Sequence, residues 1–233
     1  MLSTNRRIQH AGMLAVLIIL GACAQGQSSG SPSETPAATP WALRPDAPDL
    51  AAGTYVTRPF EAPHDAISIT FTLPDGWRGI GNFGLLPAGD GSTEGPDGMA
   101  MGFGLIPGLY SDPCDASGAA DVPVGTTADD LANALTEQSA YEATSTDVTL
   151  GGYSGKRVDL QLPSDLDSAS CDYGDFFIWE GSAYAQGPGN RWHLWILDVE
   201  GTPIVVFTAD FEGTPAEDQA ELLAIVDSIR IAP

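Results

Sequence analysis

The stretch Ile67-Ser68-Ile69-Thr70-Phe71-Thr72-Leu73-Pro74-Asp75-Gly76-Trp77 decides how the fold is read. Ile67, Ile69, Phe71 and Leu73 alternate with Ser68, Thr70 and Thr72. That period of two marks an antiparallel strand with one buried face. Pro74-Asp75-Gly76 ends the strand in a turn, and Trp77 follows as a core anchor.

Outward from this strand, Tyr55-Val56-Thr57 reads as a short strand between turns, and residues 81–86 as another. Residues 88–98 form an exposed loop. Met99, Met101, Phe103 and Leu105 then alternate with Ala and Gly, which predicts a buried strand with close backbone packing. Thr126 or Thr127 caps a helix with Asp129 and Asp130 in its first turn, where the helix dipole favours anions. Leu131, Ala134, Leu135 and Gln138 give that helix one modest apolar stripe. Residues 147–150 and 153–162 flank Gly151-Gly152 as a hairpin. Strands follow at 176–179, 191–199 and 203–209, the last two joined through Glu200-Gly201. Thr214 and Glu217 match a capping box, with Pro215 at the first helical position. Leu222, Ile225, Val226 and Ile229 share one face of the helix so begun. Strands in series broken by two amphipathic helices predict an α+β domain, its antiparallel sheet covered on one or both faces.

The front of the chain has another character. Arg6 and Arg7 precede a short apolar run, residues 11–20, and small residues lead to Cys23. That order is the layout of an export signal, and the run is too short to span a bilayer. Residues 24–40 contain no large apolar side chain and read as a flexible tether. The expected organisation is a signal peptide (1–22), a tether (23–40) and one domain (41–233).

The chain carries 9 Lys+Arg against 31 Asp+Glu, a net charge of −22. Such a surface repels phosphate backbones and excludes a nucleic-acid-binding role. It also repels anionic headgroups, so any hold on a membrane falls to a lipid anchor. In an exported chain, Cys114 and Cys171 are expected to form a disulfide. Asp112, Asp115 and Asp172 beside them disfavour a reactive thiolate.

No catalytic set assembles from the sequence. Gly152-Tyr153-Ser154-Gly155 lacks the final glycine of a nucleophile elbow and lies in a hairpin. Asp165, Asp167, Asp172 and Asp175 around Cys171, and Asp90, Glu94 and Asp97 in a Gly-rich loop, are weak calcium candidates. Neither group matches an EF-hand, and no His/Cys spacing suggests a transition metal. No cofactor is expected. Trp179, Trp192, His193 and Trp195 form a candidate ligand-binding set, because aromatic side chains exposed on one sheet face would offer a sugar, lipid or peptide surface.

Two resemblances add to this reading. Leu20-Gly21-Ala22-Cys23 resembles the bacterial lipobox, which implies diacylglycerol on the Cys23 sulfur and cleavage before that residue. Two acyl chains then give stable attachment to the cell membrane. Gly53-Thr54-Tyr55-Val56-Thr57, the stretch from Ile69 to Trp77, and Ile225-Val226-Asp227-Ser228-Ile229-Arg230-Ile231 resemble segments of exported bacterial proteins. With the Gly-Gly hairpin and closing helix, their layout is similar to the PsbP-like sandwich, including mycobacterial lipoproteins of the LpqN type. That resemblance implies an assembly, docking or ligand-binding factor. With an anchor, a tether and no assembled catalytic set, the expected function is a non-enzymatic envelope protein binding a partner protein or a small apolar or glycan ligand. An extracytoplasmic hydrolase with a site near His193, and a calcium-stabilised adhesion or sensor module, are the alternatives.

Overall fold

The structure is a computed structural model describing residues 37–40, 49–89, 93, 95–181 and 183–233. The expected signal peptide, Cys23, Asp90 and Glu94 lie outside the described residues. In chain order the strands are β1 (Thr39–Pro40), β2 (Asp49–Leu50), β3 (Gly53–Thr57), β4 (Ser68–Leu73), β5 (Trp77–Ile80), β6 (Gly84–Pro87) and β7 (Ala100–Gly104). Helix α1 (Ala128–Thr136) precedes β8 (Glu142–Leu150), β9 (Tyr153–Gln161), β10 (Phe177–Trp179), β11 (Ala183–Tyr184), β12 (Arg191–Val199) and β13 (Thr202–Asp210). Helix α2 (Ala216–Asp227) and β14 (Arg230–Ala232) close the chain. The strands form a four-stranded sheet in the order β1-β3-β4-β14 and an eight-stranded sheet in the order β2-β5-β6-β7-β13-β12-β9-β8. A small β10–β11 ribbon stands apart.

The eight-stranded sheet is buried on both faces. On one, Phe103, Trp195, Leu197 and Val206 pack with Ile69 and Phe71 of the four-stranded sheet and Leu222, Ile225 and Val226 of α2. On the other, Val158, Leu194, Ile196 and Val205 pack with Leu131 and Leu135 of α1, and with Cys171 and Ile178. The expected α+β architecture with one disulfide, Cys114–Cys171, is present. That bond joins two loops that also share main-chain hydrogen bonds, Asp172 N to Cys114 O at 2.8 Å and Phe177 N to Pro113 O at 2.9 Å.

Local signals explain most boundaries. Ile67, Ile69, Phe71 and Leu73 are all buried, as their alternation predicts. Thr127 caps α1, its Oγ1 accepting from Asp130 N at 3.1 Å. Gly151 and Gly152 have φ of 62° and 98°, the positive values a two-residue hairpin turn requires.

Several features differ from the sequence reading, among them β8, which starts at Glu142 instead of residue 147, and β11, which lies outside the expected strands. Trp77 opens a strand of its own, β5, and the next strand starts at Gly84, because Asn82 turns the chain through bonds to Thr57 and Arg58. Thr214 does not form a capping box. Its buried Oγ1 accepts from Phe211 N and donates to Gly98 O, and Pro215 takes the N-cap position without a side-chain bond. β14 extends the four-stranded sheet beyond α2, pairing Ile231 with Ile69. Thr39 and Pro40, inside the expected tether, pair in parallel with Tyr55 and Val56 through the main chain while both stay exposed.

Candidate functional site

One face of β12 presents Arg191, His193, Trp195, Leu197 and Val199 in alternation, passing from charged to apolar. The apolar end enters the core, and the charged end emerges beside α2. Register supplies the neighbours. His193 lies between Asp159 of β9 and Thr208 of β13, and Arg191 between Gln161 and Asp210. Arg157 pairs with Trp195 and holds its guanidinium 5.0 Å from the centre of the indole ring, a cation–π contact.

The charges are internally matched. Arg157 Nε donates to Asp159 Oδ1 at 2.9 Å, and Arg191 Nε donates to Asp210 Oδ1 at 2.7 Å. A second Arg191 nitrogen donates to the Phe211 carbonyl at 2.5 Å. His193 Nδ1 is 2.5 Å from Asp159 Oδ1. A carboxylate only accepts, so Nδ1 carries the proton. Arg157, 3.3 Å from that nitrogen, is then a close neighbour rather than a donor to it. His193 Nε2 faces Asp210 Oδ2 at 3.8 Å.

Burial is the largest influence on His193 and lowers its pKa, but the bond to Asp159 and the nearby Asp210 carboxylate reverse that and raise it overall. Burial likewise pushes Asp159 up, and His193 and Arg157 bring it net below the usual carboxylate value. These directions fix a pH dependence. The His193 contribution to stability is complete below its unfolded pKa near 6.5 and lost as pH rises through the higher folded value. The Asp159 contribution is present above 3.8 and lost as pH falls through its depressed folded value. The stability difference between the wild type and His193→Gln is therefore expected to shrink as pH rises from 6 to 9, read by thermal melts at each pH (about 6 and 9 bracketing a raised histidine pKa). A flat difference contradicts the pairing.

Two depressions meet at His193 and Arg191. One, about 210 Å³, lies between the sheet and α2, with Thr208, Asp210, Gln219, Leu222 and Leu223 among its walls. The other, about 490 Å³, runs across the starts of β8 and β12 and includes Glu142, Thr144, Asp159 and Gln161. Among their lining side chains none is Ser, Cys or Lys.

Of the four residues in the expected aromatic set, only His193 reaches a depression. Trp179 and Trp192 are 5% and 4% exposed on the opposite, α1-side face, packed edge to face at 5.3 Å. Trp195 is 4% exposed and lies in the core on the α2 side, beneath Arg157. Because both faces of β12 are covered, its tryptophans serve packing on two sides instead of one binding surface. Asp165, Asp167, Asp172 and Asp175 lie along loops and short turns between β9 and β10. Among the described residues no three His, Cys, Asp or Glu side chains gather closely enough to hold a metal ion. Ser154 is exposed on the hairpin opposite Thr149. His64 Nδ1 lies 3.2 Å from Thr202 Oγ1, outside the cleft.

The matched pairs leave a site with donors and acceptors and little net charge. No protein-family model and no curated protein matches the chain. Among the described residues no helix is long and apolar enough to cross a membrane.

Proposed function

We propose that this chain is a membrane-leashed extracytoplasmic domain of the PsbP-like, LpqN-type kind that binds a small neutral glycan, without turnover, in the cleft around His193. The observation that carries the ligand assignment is the charge matching of Arg157 with Asp159 and Arg191 with Asp210 where the two depressions meet. A free ion gains little from a site whose charges already satisfy one another. A ligand with neighbouring hydroxyls both donates and accepts, and so suits the residual hydrogen-bonding edges. Leu222 and Leu223 offer an apolar wall for the carbon face of a sugar ring. The leash rests on the Leu20-Gly21-Ala22-Cys23 lipobox resemblance, and the family assignment on the quoted segments together with the two-helix, antiparallel architecture.

The test is calorimetric titration of the full chain with glucose, mannose, N-acetylglucosamine and their disaccharides, beside inorganic phosphate. Saturable sugar binding weakened at least about tenfold by His193→Gln supports the reading. Binding of phosphate alone, or sugar binding indifferent to that substitution, contradicts it.

A hydrolase reading is favoured by one observation: the Asp159 bond to Nδ1 turns Nε2 into the smaller depression, where it faces Asp210 at 3.8 Å, beyond hydrogen-bond length, and can exchange a proton. Turnover of glycoside or ester substrates that vanishes in His193→Gln would replace the binding assignment with this one.

A further inference from the structure

Sheet edges are the places where a β-protein risks pairing with other chains, and very short edge strands are one protection. Three of the four outer strands of the two main sheets follow that rule. β1 and β2 have two residues each and β14 has three. The fourth, β8, has nine. It pairs with β9 in unbroken register from Glu142 to Leu150, and among the described residues no strand covers its outer side. Six of its nine residues are exposed. The sequence Glu-Ala-Thr-Ser-Thr-Asp-Val-Thr-Leu contains no proline, glycine or lysine, and its threonines and valine favour extended backbone. Asp147 pairs with Lys156 at 2.6 Å, and the same lysine reaches Asp129 at 2.9 Å.

We propose that β8 pairs antiparallel with β8 of a second copy of this chain, about a twofold axis at Thr146. A second copy centred on Thr146 overlaps all nine residues of the strand, and the charge pattern permits that register. With Thr146 opposite itself, Thr144 meets the second copy's Val148, Ser145 meets its Asp147, and Glu142 meets its Leu150. No carboxylate faces another, and threonine–valine and threonine–threonine pairs are favourable across strands. The second copy's Val148 then lies opposite Thr144, at the border of the larger depression. Each copy carries a net charge of −22, so the long-range field opposes association. Salt screens that field and strengthens the pairing.

The test uses the full chain in its own membrane with cysteine substitutions on the exposed edge, oxidised and examined on non-reducing gels. Directly opposed residues lie within disulfide reach, whereas Thr144 of one copy is four residues, roughly 13 Å along the strand, from Thr144 of the other. Thr146→Cys and the double variant Thr144→Cys/Val148→Cys are expected to give covalent dimers, and Thr144→Cys alone at least about tenfold less. Unchanged melting temperatures verify that the variants fold. The dimer fraction of Thr146→Cys is expected to rise with salt. No dimer from Thr146→Cys, equal dimer from Thr144→Cys alone, or a yield that falls with salt overturns the proposal.

Discussion

Asp210→Ala is expected to destabilise the domain by about 2–4 kcal/mol, measured by urea denaturation. The Asp210 side chain is 5% exposed and holds Arg191, whose guanidinium is also fixed by the Phe211 carbonyl just before α2. Removing the carboxylate leaves a partly buried cation without its partner. Breaking a fully buried pair costs about 3–5 kcal/mol, and the 25% exposure of Arg191 lets water recover part of it. Asp210→Asn keeps an acceptor and is expected to lose roughly 1–2 kcal/mol. The double variant Arg191→Met/Asp210→Leu removes both charges together and is expected to regain most of the loss. A double variant as unstable as Asp210→Ala would mean that the carboxylate acts through something other than its pairing with Arg191.

Gly155→Ala is expected to cost about 3 kcal/mol or more, at or beyond the top of the usual overpacking range. Gly155 lies in β9, opposite Leu197 of β12 and Val148 of β8. A Cβ there would run into the carbonyl of Ile196. That obstacle is backbone in the middle of the eight-stranded sheet, so no side-chain rotation relieves it. Gly104 of β7 is the matched control, because a Cβ added there meets nothing within 4 Å. Gly104→Ala is expected to stay within about 0.5 kcal/mol of the wild type. Equal effects from the two substitutions would refute the packing assigned to β9 and β12.

Periodicity made much of the fold legible. The alternation through Phe71, the Thr127 cap, the Gly151-Gly152 hairpin and β12–β13 with its Glu200-Gly201 turn are local signals that the tertiary structure leaves in place. The capping box failed because Thr214 Oγ1 engages the Phe211 amide three residues before it and the Gly98 carbonyl, a distant partner that no local pattern announces. β5 and β14 are four and three residues long, too short for alternation to register.

The site was half visible. His193 stood out as one of few histidines, beside tryptophans that the fold buries on both faces of the sheet. Arg157, Asp159, Arg191 and Asp210 belong to three strands, and what joins them is the order β13-β12-β9 with its registers. Arg-x-Asp in β9 and Arg-x-His in β12 were the available hints. Each is ordinary on an exposed strand, and only pairing turns them into matched charges.

Backbone amide shifts of the isotopically labelled chain, recorded during titration with the same neutral sugars, locate any bound ligand residue by residue. Saturable shifts confined to residues 142–144, 157–161, 191–193, 208–210 and 219–223 are predicted. Saturable shifts centred elsewhere, for instance on the loops joined by Cys114 and Cys171, or none with any sugar, would contradict a ligand site at His193.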